Sequence, residues 1–233
     1  MGSSEAEKPL RRIAASFEEL AAVAKQQPPG AMDVGAFSRA CSNVSVLFGC
    51  LGIAFKFAEI DYVAKAPPLP LLPLVSALYG CTSGFSAGIA VLIKLFGVDD
   101  LLEASKSIST LPSMVELDIQ KDTVRIAGSH TRNLLRVKRG VDMVKVLFEK
   151  MLVTEGNSLR DAASVAYAQV FAPHHGWAIR KAVAAGMYAL PSKSQLLKKL
   201  NEDEESAKTQ IQNFVRSAAP VIRYVEDLFT SRN

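Results

Sequence analysis

The chain has 233 residues, 49% of them hydrophobic and 21% charged, with a formal net charge of +4. That length suits one large domain, and the apolar share is enough for a real core and argues against disorder. The small positive surplus permits attraction to anionic ligands or membranes but falls well short of a nucleic-acid signature, and no base-stacking aromatic motif supplies one.

No signal-peptide pattern opens the chain, so the cytosol is the expected compartment. The first residues, Met1 to Ala6, begin like a myristoylation signal, but Ala6 stands where Ser or Thr is required. A first helix is predicted over Pro9–Lys25, with Ile13, Phe17, Leu20, Ala21 and Ala24 at helical spacing and Pro28-Pro29-Gly30 as its stop. Asp33 can cap a second helix whose apolar body includes Phe37, Cys41, Val44, Leu47, Phe48, Leu51 and Phe55. So few positions between Val44 and Phe57 are polar that this helix is expected to be buried on most sides. It ends with Asp61 and Lys65 one turn apart on one face. Such a pair is either an ordinary surface ion pair or half of a polar site.

Composition then changes abruptly. Ala66–Gly97 carries one charge, Lys94, opens with Pro67, Pro68, Pro70 and Pro73, and repeats Gly80, Gly84 and Gly88 at four-residue spacing. Ser76–Phe96 is about long enough to span a bilayer, and GxxxGxxxG is a membrane helix-contact pattern. A buried hairpin, or an insert foreign to the fold, fits the same residues. Pro67 and Pro68 disfavour helical continuation at Ala66.

After this segment Val98-Asp99-Asp100 restarts a capped helical pattern, interrupted at Pro112. One or two helices lead to GSHTRNLLRVKRG, Gly128–Gly140, whose apolar pattern continues through Val141, Val144, Phe148 and Met151 to an end near Glu155-Gly156-Asn157. Arg132 and Arg136 lie one turn apart, with Lys138 and Arg139 close behind. Two guanidiniums side by side make a fork for phosphate or carboxylate, although charge runs are commonly solvated faces. A short helix over Leu159–Phe171 stops at Pro173; another opens at His174-His175-Gly176-Trp177 and runs to Leu190-Pro191. Ser192–Leu200 is brief. Glu202–Arg232 is a last amphipathic helix with Ile211, Phe214, Val215, Ala218, Ile222, Val225 and Phe229 inward, and Pro220 is expected to bend it. No alternating strand signal occurs, so the expected fold class is all-α.

Cys41, Cys50 and Cys81 are odd in number and lack a CxxC spacing, which indicates neither a disulfide framework nor a zinc site. Adjacent histidines cannot replace the i,i+4 pair of a helical zinc site, and HExxH, GxSxG, Walker and GxGxxG patterns are absent. No catalytic residue, metal or cofactor is expected, and binding is the better reading.

Asp61 and Lys65, Arg132 and Arg136, and His175-Gly176-Trp177 followed by Tyr188–Pro191 together resemble the glycolipid transfer protein superfamily. The runs FGCLGIAFKFAE, AGSHTRNLLRVKRG and YAQVFAPHHGWAIRKAV look closest to its plant accelerated-cell-death branch, which carries ceramide-1-phosphate. The resemblance covers nearly everything from Lys8 to Phe229 except Ala66–Gly97. It implies a two-layer all-α domain, here a single domain over 1–233, that lifts a sphingolipid from a membrane and shields its chains without catalysis. It further implies that Asp61 accepts from the ceramide amide and a nearby hydroxyl, and that His175 donates to the amide carbonyl. Arg132 and Lys65 stand where glycolipid-binding relatives have a sugar-stacking aromatic and an Asn. Cations there, with Arg136, favour phosphate over sugar. Trp177 lies near the site, at the membrane contact, or in the core.

The expected function is therefore transfer of ceramide-1-phosphate between membranes, by a cytoplasmic protein that touches them transiently and binds no nucleic acid. It would serve sphingolipid homeostasis and cell-death control. A helical lipid sensor or tether anchored by 76–96 is the alternative. In relatives the lysine corresponding to Lys65 leads directly into a segment like Val98–Leu101. Ala66–Gly97 is therefore read as a splice or gene-model insert in a helix, with Lys65 the residue whose geometry it most endangers.

Overall fold

The computed structural model describes residues 8–27, 29–51 and 97–230 of the chain. Asp61, Lys65, Cys81 and all of the apolar insert except Gly97 lie outside the described residues. Among those described there is no strand, and the two isolated bridges, Asp33 with Thr110 and Ser158 with Ser192, only tie loop ends together. The all-α expectation holds.

Helix α1, Pro9–Ala24, starts on a proline, whose missing N–H is no loss in a first turn. It buries Leu10, Ile13, Ala14, Phe17, Leu20 and Ala21, one stripe at three- and four-residue spacing. Helix α2, Val34–Leu51, is capped as expected: the Asp33 carboxylate accepts the Ala36 N–H at 2.6 Å. Among the described helices only α2 is long and apolar enough to cross a membrane, yet 67% of it is buried inside the protein, as befits a core helix.

Helix α3, Val98–Ala104, has Asp99 and Asp100 in its first turn, and Gly97 takes the cap position at φ 77°. A left-handed residue there breaks any continuous helix across the junction. Helix α4, Leu111–Gln120, is capped by Thr110. The interruption expected at Pro112 falls just before it, because proline is tolerated in a first turn and therefore starts α4. Helix α5, His130–Val153, is followed by α6, Arg160–Val170, and a single 3-10 turn over Ala172–His174. The helix predicted to reach Leu190 ends earlier: α7 covers Trp177–Gly186 and tightens into a 3-10 turn at Met187–Ala189. Helix α8, Lys193–Lys199, begins with a reciprocal capping box between Ser192 and Gln195. Helix α9, Glu204–Thr230, runs through Pro220 without ending. Ile211, Phe214, Ala218, Ile222 and Val225 are buried on it as expected, while Val215 and Phe229 pack at the edge of the core.

The helices close a circuit. α1 lies along α9, α9 along α5, α5 against α3, α3 against α2, and α2 returns to α1; α4 and α6 pack on α5 as well. Phe214 sits at the junction of α1, α5 and α9, edge-on to Phe17 at 5.0 Å and to Phe148 at 5.7 Å. Such aromatic pairs add about 0.5–1.5 kcal/mol beyond their buried area. The packing thus makes α5 the central element, and α5 carries the two candidate arginines.

Candidate functional site

The first turn of α5 is held from three directions. Its own cap, Ser129, accepts the Arg132 N–H at 3.3 Å. From α4, Asp118 reaches across: its Oδ2 accepts the Thr131 N–H at 2.8 Å, and its Oδ1 accepts the Thr123 hydroxyl at 2.9 Å. From α3, the Asp100 carboxylate lies 2.8 Å from His130 Nδ1. Asp118 is 5% exposed. Burial alone would raise its carboxyl, but hydrogen bonds from Thr131 and Thr123 and the nearby His130 outweigh that and hold it below the usual value. Two carboxylates facing a helix N-terminus also suit its partial positive charge.

Just inside this turn stand the two arginines. Arg132 Nη1 donates to the Arg125 carbonyl at 2.9 Å, in the loop between α4 and α5. Arg136 Nη1 donates to Asn133 Oδ1 at 3.2 Å, and Asn133 in turn donates from Nδ2 to the Gly128 carbonyl at 3.4 Å. Both guanidiniums are therefore referenced to one loop. Lys138 faces elsewhere, pairing with Glu226 of α9 at 2.5 Å and Asp142 at 3.7 Å. The basic run thus divides, and Arg132 and Arg136 form the candidate anion fork.

One turn farther along α5, Val137, Gly140 and Val141 line an apolar crevice with Cys41, Val44 and Phe48 of α2. Its open volume is about 10 Å³, room for roughly one water. Burial pushes the Cys41 thiol up, so this wall stays neutral.

His175 is 7% exposed, and its Nδ1 lies 2.9 Å from the Tyr167 hydroxyl. Its ring stacks on Phe171 at 5.6 Å. Helix α6 follows α5 through a short connection and packs along it, so it runs back beside α5. Eleven residues of α6 advance roughly 16 Å along an α5 of roughly 36 Å. His175 lies one 3-10 turn beyond the end of α6. Trp177 opens α7 and is 69% exposed, which rules out the core-packing role. Asp61 and Lys65 lie outside the described residues. Among the described residues no cluster of His, Cys, Asp or Glu is arranged to hold a metal.

Sequence reasoning missed the residues that hold these groups: Asp118, Asn133, Asp100, Tyr167 and Phe171. The Ser129 cap was the one readable signal, since a serine before an apolar helical run marks a start.

Comparison with known proteins places these features in context. The family model described as Glycolipid transfer protein matches residues 94–202, which include Arg132, Arg136 and His175 but not Asp61 or Lys65. The Arabidopsis thaliana protein "Accelerated cell death 11" is 54% identical over 233 residues, all of this chain and 97% of that one. A crystal structure of a mutant of that Arabidopsis protein, complexed with C12 ceramide-1-phosphate, is 53% identical with a TM-score of 0.80, covering 98% of each chain. Human ceramide-1-phosphate transfer protein in complex with 12:0 ceramide-1-phosphate has a TM-score of 0.66 at 17% identity, covering 97% of each chain, a likeness of fold.

Proposed function

Because the chain belongs to the glycolipid transfer protein family, we propose that it is a non-enzymatic carrier that moves ceramide-1-phosphate between membranes. The observation that carries this reading is the anchored pair Arg132 and Arg136 at the start of α5, one turn from an apolar crevice on the same helix. Paired guanidiniums suit a phosphate, and the crevice between α2 and α5 offers its chains a path into the core. In this reading Arg132, Arg136 and Lys65 hold the phosphate, Asp61 accepts from the ceramide amide and hydroxyl, and His175 donates to the amide carbonyl. A buried His175 propped by Tyr167 and Phe171 supports a fixed donor.

The exposed Trp177, beside Arg180 and Lys181 on α7, supports transient contact with the membrane surface. In this reading the protein works from the cytosol as one domain over residues 1–233 and serves sphingolipid homeostasis; a part in cell-death control is suggested by the name of its Arabidopsis relative. No catalytic step is assigned to it.

The test is transfer of fluorescent lipid between vesicles. The chain should move ceramide-1-phosphate and leave galactosylceramide behind, and Arg132→Leu should abolish transfer with its helical circular-dichroism signal intact. Appreciable galactosylceramide transfer, or unchanged ceramide-1-phosphate transfer by a folded Arg132→Leu protein, would overturn the headgroup assignment.

A further inference from the structure

We propose that Asp118, a residue outside the headgroup site, positions the phosphate-binding arginines by clamping the start of α5 to the loop that aims them. The inference rests on the phosphate-carrier reading above and adds the element that sets its geometry. Four observations converge on it. Asp118 is buried on α4, yet each of its carboxylate oxygens takes a hydrogen bond from a different structure: Oδ2 from the Thr131 amide of α5, Oδ1 from the Thr123 hydroxyl of the connecting loop. Thr123 also donates its amide to the Asp118 carbonyl at 2.8 Å, so loop and carboxylate form one closed unit. That loop presents the Arg125 carbonyl to Arg132 and the Gly128 carbonyl to Asn133, which holds Arg136. Thr131 itself sits next to Arg132, so the residue clamped by Asp118 adjoins the first arginine.

An arginine has many rotamers, and a fork for phosphate needs two guanidiniums fixed together. Bonds from the guanidiniums to backbone or buried amide oxygens supply that fixity only while the acceptors hold still. The buried carboxylate of Asp118 binds both the loop and the helix start. Its negative charge faces the α5 amides, so it steadies the arginines without lying between them and a ligand. Weakening Asp118 should therefore cost headgroup selectivity first, ahead of the affinity that any ceramide derives from its chains.

The experiment compares binding of short-chain ceramide-1-phosphate with that of short-chain ceramide, at a temperature below every variant's unfolding transition. Asp118→Asn keeps the size but puts donors where an acceptor is needed. It should weaken ceramide-1-phosphate binding roughly tenfold, the scale of one charge-assisted bond, and leave ceramide binding within about twofold. Thr123→Val removes one arm of the clamp and should fall between wild type and Asp118→Asn; if Asp118→Asn does not fold, Thr123→Val alone decides. Variants that keep the wild-type preference, or that lose both lipids in equal measure, would overturn the positioning role. A wild-type chain with no preference for the phosphate, or an Arg132→Leu protein that keeps it, would instead overturn the carrier reading.

Discussion

Gly97 caps α3 at the end of the apolar insert, and replacing it with alanine should be costly for two separable reasons. Its φ is 77°, a region where a side chain costs about 1–2 kcal/mol. An added Cβ would also stand 2.8 Å from Asn133 Cβ and 3.0 Å from its Cγ. Asn133 is 6% exposed and its Cβ is fixed by the α5 backbone, so relief requires α3 and α5 to shift apart. Overpacking of that kind costs about 1–3 kcal/mol. Together the terms predict a loss of about 2–5 kcal/mol, or a fall in melting temperature of about 4–20 °C for a chain of this size. Gly128→Ala is the matched control: its φ is 88°, but nothing lies within 4 Å of its added Cβ, so it reports the backbone part alone. Thermal unfolding followed by circular dichroism measures both. If Gly97→Ala proves no more damaging than Gly128→Ala, the contact with Asn133 does not hold and the reasoning fails. Because Asn133 carries Arg136, Gly97→Ala should also weaken ceramide-1-phosphate binding more than Gly128→Ala does.

Deleting Ala66–Gly97, so that Lys65 joins Val98, should raise soluble yield and melting temperature and preserve or speed transfer; a deletion protein that is less stable or inactive would make the insert part of the working fold. The left-handed turn at Gly97 is needed only where a new helix starts, so its loss is expected to be tolerated in a chain that runs straight on. The acid limb of stability should carry the signature of Asp118. Its folded carboxyl lies below the ordinary 3.8, so the stability it contributes is present above that value and is lost as pH falls through the lower folded one. Asp142 works the other way. Burial raises it despite Lys138 and Lys145, so its protonation favours the fold as pH falls through its raised pKa toward 3.8. Asp118→Asn should flatten the unfolding curve below 3.8 and leave the limb above it; an unchanged acid limb would count against an ionised clamp.

What the sequence made legible was the chemistry, and what it hid was the support. Arg132 and Arg136 stood out because two guanidiniums one turn apart on one helix face make an anion fork, although such runs are commonly solvated. Asp33 could be read because the amide it caps lies within one helical turn, and Pro9 because proline suits a first turn. Asp118 could not. It sits near the end of a helix where an acid is unremarkable, and its partner amide is Thr131, reached only after the chain has turned through the positive-φ residues Asp122 and Gly128. The early end of α7 at Gly186 was equally hidden, because Met187 continues the apolar pattern while its backbone tightens into a 3-10 turn. Local rules reach caps and periods, but loop closures are set by the packing that surrounds them.

The contrast between an anchored polar site and a closed apolar one bears on how a carrier of this kind would discriminate. Burying a methylene from water is worth about 0.8 kcal/mol, which over a twelve-carbon chain amounts to about 10 kcal/mol. A lipid taken from a bilayer leaves an environment that is already apolar, so almost none of that is available to tell one lipid from another. If chains enter by the crevice beside Val137 and Val141, which has room for about one water, it would have to open against packed helices. Chains can therefore govern how fast a lipid enters, while the choice of lipid has to come from groups that distinguish headgroups. Those groups are worth most when their geometry is set before the ligand arrives, since no free energy is then spent on ordering them. Arg132 tied to Arg125, Arg136 tied to Asn133 and His175 set against Tyr167 are ordered in that way.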